Sequence, residues 1–289
     1  MAIAFGLFGL MVGSFLNVLI LRWGERSLSG RSACMACGKQ LRWYDLMPIL
    51  SWVFLRGRCR MCGSRISIQY PLVEAATGAL FASVALVPLP LGFLYQLAFC
   101  AIMALLVAIF VYDLYYAIIP DAWVWTFNAL ALLLVFVSPL QATHSIDSGQ
   151  ASFWLPALLA GPLAALPLFV IWASSALRGL PFGAWMGFGD IKLALGIGWL
   201  LGPALGLFSI LLAFVIGAVI SVPLVLFSSD RWRRFVEEFT PTAVSRRLAW
   251  QFTMKSEIPF GPFLILSCIT IWFLSMYNLD PLRIFGLSL

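Results

Sequence analysis

Long apolar runs, broken by short polar stretches, dominate the chain. A helix needs roughly 20 apolar residues to cross a bilayer core. By that measure the pattern predicts an all-α, polytopic membrane protein of about eight transmembrane helices, at residues 2–22, 71–88, 91–112, 119–138, 153–176, 191–201, 204–227 and 259–277. The sixth is about half the usual length and runs into "LGPALG", so the sixth and seventh are expected either as two elements or as one bent unit. The first apolar segment has no basic stretch before it and no obvious small-residue cleavage site, and it is read as a retained span rather than a signal peptide.

The polar interruptions set the orientation. Nine of the 18 Lys and Arg residues fall between Arg22 and Arg65, in the long loop after the first span. Arg231, Arg233, Arg234, Arg246, Arg247 and Lys255 lie between the seventh and eighth spans, Arg178 and Lys192 flank "MGFGD", and only Arg283 falls on the other side. The positive-inside rule then places the basic loops in the cytoplasm and both termini outside. Composition agrees with a bilayer protein: 62% of residues are hydrophobic and 10% charged, where soluble domains carry about 25% charged residues. The net charge of +6 is therefore a topology signal, and no nucleic-acid partner is expected. Glycines at 9 and 13, 198 and 202, and 202 and 206 have the spacing that lets helix backbones approach closely. Trp23, Trp43, Trp123 and Trp272 fit an interfacial aromatic belt.

The first loop carries "CMACGK" and "CRMCGS", giving C-x2-C-x21-C-x2-C with a glycine after each pair. Four thiolates in this arrangement suit a structural zinc, with Cys34, Cys37, Cys59 and Cys62 as ligands. A disulfide pair or a thiol relay could use the same residues, but a cytoplasmic loop keeps its thiols reduced. Four protein ligands leave no open position for a reacting water. Cys100 and Cys268 lie within apolar spans and read as small hydrophobes.

The 12 acidic residues divide cleanly. Asp147 and Asp280 sit in polar segments outside the spans, and Asp230, Glu237, Glu238, Glu25 and Asp45 balance neighbouring arginines. Glu74, Asp113, Asp121, Asp190 and Glu257 stand at span boundaries, where ionisable groups are costly and mark function. Pro120 and Asp121 have the form of a helix start. Asp190 could also cap a helix, although capping leaves Gly187 and Gly189 unexplained; glycine there admits unusual backbone and close approach. Asp113 and Asp190 fall on different spans at the same face. Two aspartates a few ångströms apart would share a proton, one activating water and the other polarising a carbonyl, as in an aspartic peptidase. Capping and a proton pathway remain open alternatives. The lone His144, in a loop on the outer side, argues against a Ser/His or Cys/His hydrolase.

At these residues the sequence resembles the type IV prepilin peptidase family of GxGD-type membrane aspartic peptidases. The resemblance rests on "GSFLNVLILR" at 13–22, the cysteine tetrad, "GRCRMCGSRISIQYPLVE" at 57–74, D-x6-PD at 113–121, "GFGDIKLALGIG" at 187–198 and "IPFGPFLILS" at 258–267. It implies catalytic aspartates at Asp113 and Asp190, with Gly187 and Gly189 in the active-site loop. It also implies cleavage after a glycine of the basic leader of prepilins or type II secretion pseudopilins, at the cytoplasmic face of a bacterial inner membrane. The four cysteines match the bifunctional form, which methylates the new amino terminus with S-adenosylmethionine; no methyl-donor site is recognisable, and Glu74 and the loop arginines are only suggestive of one. The implied organisation is a first transmembrane helix at 1–22, a cytoplasmic four-cysteine zinc-binding loop associated with methyl transfer at 23–70, and a transmembrane peptidase domain at 71–289. A proton-coupled transporter with Asp113 and Asp190 as relay would instead place its acids at the bilayer midplane. A thiol oxidoreductase would keep its activity under chelation.

Overall fold

The computed structural model describes residues 1–24, 27, 30–87, 92–137, 151–180, 185–226, 259–277 and 279. Its α-helices are α1 (Ala2–Arg22), α2 (Leu50–Phe54), α3 (Gln69–Leu86), α4 (Gly92–Tyr116), α5 (Asp121–Val137), α6 (Ala151–Leu177), α7 (Phe188–Leu201), α8 (Pro203–Leu226) and α9 (Gly261–Met276). Among the described residues there is no strand, only two isolated antiparallel bridges in the first loop. Each of the eight apolar segments forms a helix within a few residues of its expected bounds. Four are long and apolar enough to cross a membrane: Ala2–Arg22, Gly92–Tyr116, Leu155–Leu177 and Pro203–Pro223. α5 and α9 are apolar but shorter, α7 has 14 residues, and α3 carries Gln69, Glu74 and Thr77.

The chain forms two compact units, Met1–Ala108 with Pro223–Ser256, and Ile109–Val222 with Glu257–Leu289. In the first, α1 and α3 make an antiparallel hairpin. α1 buries Phe5, Gly9, Gly13, Leu16, Asn17 and Ile20 and leaves Ile3, Met11 and Phe15 exposed. An apolar outer face is what a lipid-facing helix presents. Glycine is required on the inner face. A Cβ at Gly9 would lie 2.7 Å from the Thr77 carbonyl oxygen and 2.9 Å from Gly78 Cα, and one at Gly13 would lie 2.7 Å from Glu74 Cα.

In the second unit α7 packs against α5, α6 and α9. A Cβ at Gly198 would strike the α6 backbone at Ala160 and Gly161. α6 contains Pro156, Pro162 and Pro167. Pro162 has no N–H to give the Leu158 carbonyl four residues back, and the Trp199 indole N–H donates to that carbonyl at 3.0 Å. α7 and α8 are distinct helices, separated at Gly202 with φ +83°. Gly206 in α8 returns against α7, where a Cβ would lie 3.0 Å from Gly198 Cα. Cys100 and Cys268 are buried, as small apolar residues would be. Glu25, His144, Asp147, Asp230, Glu237, Glu238, Glu257, Asp280 and the basic residues from Arg231 to Lys255 and at Arg283 lie outside the described residues.

The close contact of α1 with α3 leads to a first prediction. Gly9→Val should destabilise the hairpin by about 1–3 kcal/mol, because both helix backbones would have to separate. Thermal unfolding in a fixed detergent measures it, with a change at the exposed Met11, Met11→Val, expected to have a smaller effect.

Candidate functional site

Three helix ends of the second unit meet at a pair of carboxyl groups. Asp113 lies one turn before the end of α4, where Ala117 N–H closes on the Asp113 carbonyl at 2.8 Å. Ala117 takes φ +52°, and the chain passes through Ile119 and Pro120 into α5. The Pro120 carbonyl accepts the N–H groups of Trp123 and Val124, both at 3.1 Å, so the proline does start a helix as expected.

Asp190 is in the first turn of α7, where Gly187 is the N-cap with φ −69° and ψ 142°. The Asp190 N–H donates to the Gly187 carbonyl at 3.2 Å, and its carboxyl accepts the Gly187 N–H in return. This is the acidic half of a capping box, so the capping role is real. It is not the whole role, because Asp190 is only 8% exposed and Asp113 only 4%. A solvated helix cap has no need of such burial. The two carboxyl groups are also near enough for the charge of Asp113 to act on Asp190.

The remaining wall comes from the start of α9. The Gly261 N–H donates to the Asp113 carboxyl, placing an anion at the positive end of a helix. Among the described residues Asp113 Oδ2 has no hydrogen-bond partner. A Cβ at Gly261 would run into that oxygen and lie 3.2 Å from Ile119 Cδ1, and one at Gly189 would lie 3.1 Å from Ile119 Cβ. Gly187 has more room, its nearest neighbour being Asp190 Oδ2 at 3.7 Å. Gly189 and Gly261 thus serve close approach, with Ile119 between them. Sequence reasoning alone did not select Gly261 or Ile119. The available signal was the glycine–proline pair opening the last apolar run, which reads equally well as an ordinary helix start.

The other boundary acids go elsewhere. Asp121 pairs with Lys192 Nζ at 2.6 Å, and Lys192 also lies over the Phe188 ring at 5.3 Å. This contact fixes the head of α7 to the head of α5, as does Asn128 Nδ2 donating to the Lys192 carbonyl at 3.0 Å. Glu74 belongs to the first unit, where its Oε2 accepts the Ile49 N–H at 2.7 Å.

The first unit also brings the four cysteines together. The two CxxC segments fold as near copies. Cys34 N–H donates to the Lys39 carbonyl at 2.9 Å and Cys59 N–H to the Ser64 carbonyl at 2.8 Å, while Gly38 and Gly63 N–H close on Cys34 and Cys59, both at 2.9 Å. Gly38 and Gly63 have φ +68° and +69°, which is why a glycine follows each pair. All four sulfurs lie within 4.8 Å of one another, close enough to hold a metal ion. The backbone N–H of Cys37, helped by that of Ala36 and by Ser64, brings the Cys34 thiol down to about 6 against the opposing effect of burial. The Ser64 hydroxyl and N–H lower Cys62 in the same way. Such lowering favours the thiolate, the form that binds metal, at Cys34 and Cys62, whereas Cys37, despite the Lys39 backbone N–H, is pushed up to about 11 by desolvation and by the neighbouring thiols.

Comparison with known proteins follows the same division. Residues 7–87 match the bacterial peptidase A24 N-terminal domain, and residues 100–222 match the type IV leader peptidase family. A prepilin leader peptidase/N-methyltransferase of Myxococcus xanthus is 36% identical over 66% of this chain and 47% of its own length. Proteins of the same name from Burkholderia pseudomallei and Aeromonas hydrophila are 30% and 29% identical, over 91% and 94% of this chain and 82% and 93% of theirs. No solved structure matches. With both of its units matched and a relative aligned over nearly its whole length, the chain belongs to the type IV leader peptidase family.

Proposed function

We propose that the protein is a bifunctional prepilin-processing enzyme: it cleaves the leader of type IV prepilins or type II secretion pseudopilins after a glycine and N-methylates the new terminus. The observation that carries this reading is the buried, interacting Asp113–Asp190 pair, and the activities for which the relatives are named support it. In the proposed mechanism one aspartate is ionised and takes a proton from a water between them, while the other, protonated, donates to the scissile carbonyl oxygen. Gly189 and Gly261 let helix ends close around the carboxyls without side chains in the way. Asp113 Oδ2 makes no hydrogen bond among the described residues and is available to water or substrate.

The eight-crossing topology is part of the proposal. The four long apolar helices support membrane insertion, and the distribution of Lys and Arg supports a bacterial inner-membrane location with the aspartates and the cysteine loop at the cytoplasmic face. A prepilin would present its basic leader there and lay its apolar helix against the spans. In the proposed division of labour, residues 1–22 are the first transmembrane helix, 23–70 the cysteine loop associated with methyl transfer, and 71–289 the peptidase domain.

Zinc is the metal that fits the cysteines. A tetrahedral ion at the usual Zn–S length sets its sulfurs about 3.8 Å apart, and Cys34 Sγ and Cys62 Sγ stand 3.9 Å apart. Cys34, Cys37, Cys59 and Cys62 would hold it and leave no place for a reacting water, so its role is to shape the loop. S-adenosylmethionine, when bound, supplies the methyl group.

Asp113→Asn and Asp190→Asn should each lower leader removal at least about 100-fold, with helix content and membrane insertion unchanged by circular dichroism and fractionation; normal processing by either variant sinks the assignment. Metal analysis of the purified protein should return about one zinc per chain, falling in Cys34→Ser/Cys62→Ser. An active, metal-free protein with oxidised cysteines is the contrary result.

A further inference from the structure

The first unit holds a buried acid that peptide cleavage does not use. Glu74 is 6% exposed; its carboxyl accepts the Ile49 N–H at 2.7 Å and contacts the Ser14 hydroxyl. Among the described residues it makes no ion pair. One turn further along α1, Asn17 is 1% exposed. Its Nδ2 donates to the carbonyls of Gly13 and Tyr70, both at 3.2 Å, while its Oδ1 has no partner among the described residues.

These groups are neighbours. Gly13 packs on Glu74 itself, and Tyr70 lies one turn before Glu74 on α3. The Tyr70 hydroxyl is within electrostatic reach of Cys34. Glu74 and Asn17 therefore lie within about a helical turn of each other across the α1–α3 contact, at its loop end and near the cysteine cluster. Buried acceptors without a donor are costly, and a carboxylate without a cation is incomplete. An alkylammonium group offers both a positive charge and three N–H donors.

We propose that Glu74 and Asn17 form the binding site for the N-terminal ammonium of the processed substrate, with Glu74 as the base for methyl transfer. The inference rests on the methylation half of the proposed function. Glu74 takes one proton from the ammonium, and the freed nitrogen lone pair attacks the methyl carbon of the sulfonium donor. The C–N bond forms as the C–S bond breaks, its electron pair returning to sulfur to leave a neutral thioether, and the product is the methylated ammonium. Asn17 Oδ1 accepts a second N–H and orients the nitrogen. Asp45, the other described acid of this unit, pairs with Arg60 at 2.8 Å.

The test uses the full-length enzyme in lipid nanodiscs with a prepilin and labelled S-adenosylmethionine. Glu74→Gln keeps an oxygen for the Ile49 N–H and removes only the charge and the base. Leader cleavage and zinc content should stay within about twofold of wild type while methyl incorporation falls at least about 100-fold. A readout without turnover is the binding of a processed amino-terminal peptide with a free or an acetylated terminus. The wild type should prefer the free amine about tenfold, and both Glu74→Gln and Asn17→Leu should lose that preference. Methylation by Glu74→Gln within about threefold of wild type, or equal binding of the two peptides by wild type, overturns the inference alone. Loss of cleavage or zinc along with methylation in Glu74→Gln also overturns it, by showing a merely structural role. A wild type that cleaves no leader overturns the proposed function with it.

Discussion

Helices in a bilayer gain little by hiding apolar surface from one another, because lipid is as apolar as their own side chains; they hold together by approaching closely. In this protein that approach depends on glycine. Gly9 and Gly13 let α1 lie on the backbone of α3, Gly198 lets α7 lie on α6, and Gly206 lets the head of α8 lie on α7. At each of these positions a single added carbon would meet a carbonyl, a Cα or a neighbouring methyl. The same constraint builds the carboxyl site, since a Cβ at Gly261 would run into Asp113 and one at Gly189 would crowd Ile119.

Close packing in an apolar medium makes each uncompensated polar group expensive, and the few that exist are assigned. Trp199 serves the carbonyl that Pro162 leaves free. Ser209 and Ser267 join hydroxyls at 3.0 Å between α8 and α9. Asn128 ties α5 to the α7 backbone. Four buried side-chain atoms are left over among the described residues: Gln69 Nε2, Asn128 Oδ1, Asp113 Oδ2 and Asn17 Oδ1. The last two lie near acids, in separate units of the chain. Two centres, one carboxyl pair and one acid–amide pair, give structural form to a protein whose relatives are named for two activities.

Much of this was readable along the chain. The apolar runs located each of the eight long helices among the described residues, because a run of apolar residues bounded by charge has few other solutions in a membrane protein. The duplicated CxxC-G predicted the cysteine cluster, since both the thiol spacing and the left-handed glycine are local features. Asp113 and Asp190 stood out because a carboxylate at the edge of an apolar run is unusual wherever it lies. Local reasoning did less well with span length: α5 and α9 are helical but shorter than a full crossing, although the shortness of α7 was expected, and hydropathy does not fix where a helix is capped.

What the sequence determined by itself was therefore one-dimensional: which segments are helical and apolar, which thiols share a spacing, and which acids lack an ordinary excuse. Tertiary structure alone decided the partners. Asp121 turns to Lys192 rather than to the other aspartates, Glu74 belongs to the cysteine-bearing unit, and Gly261 closes on Asp113 from 148 residues away. These outcomes depend on how closely two backbones can approach, and that distance is set by pairs of helices rather than by either one.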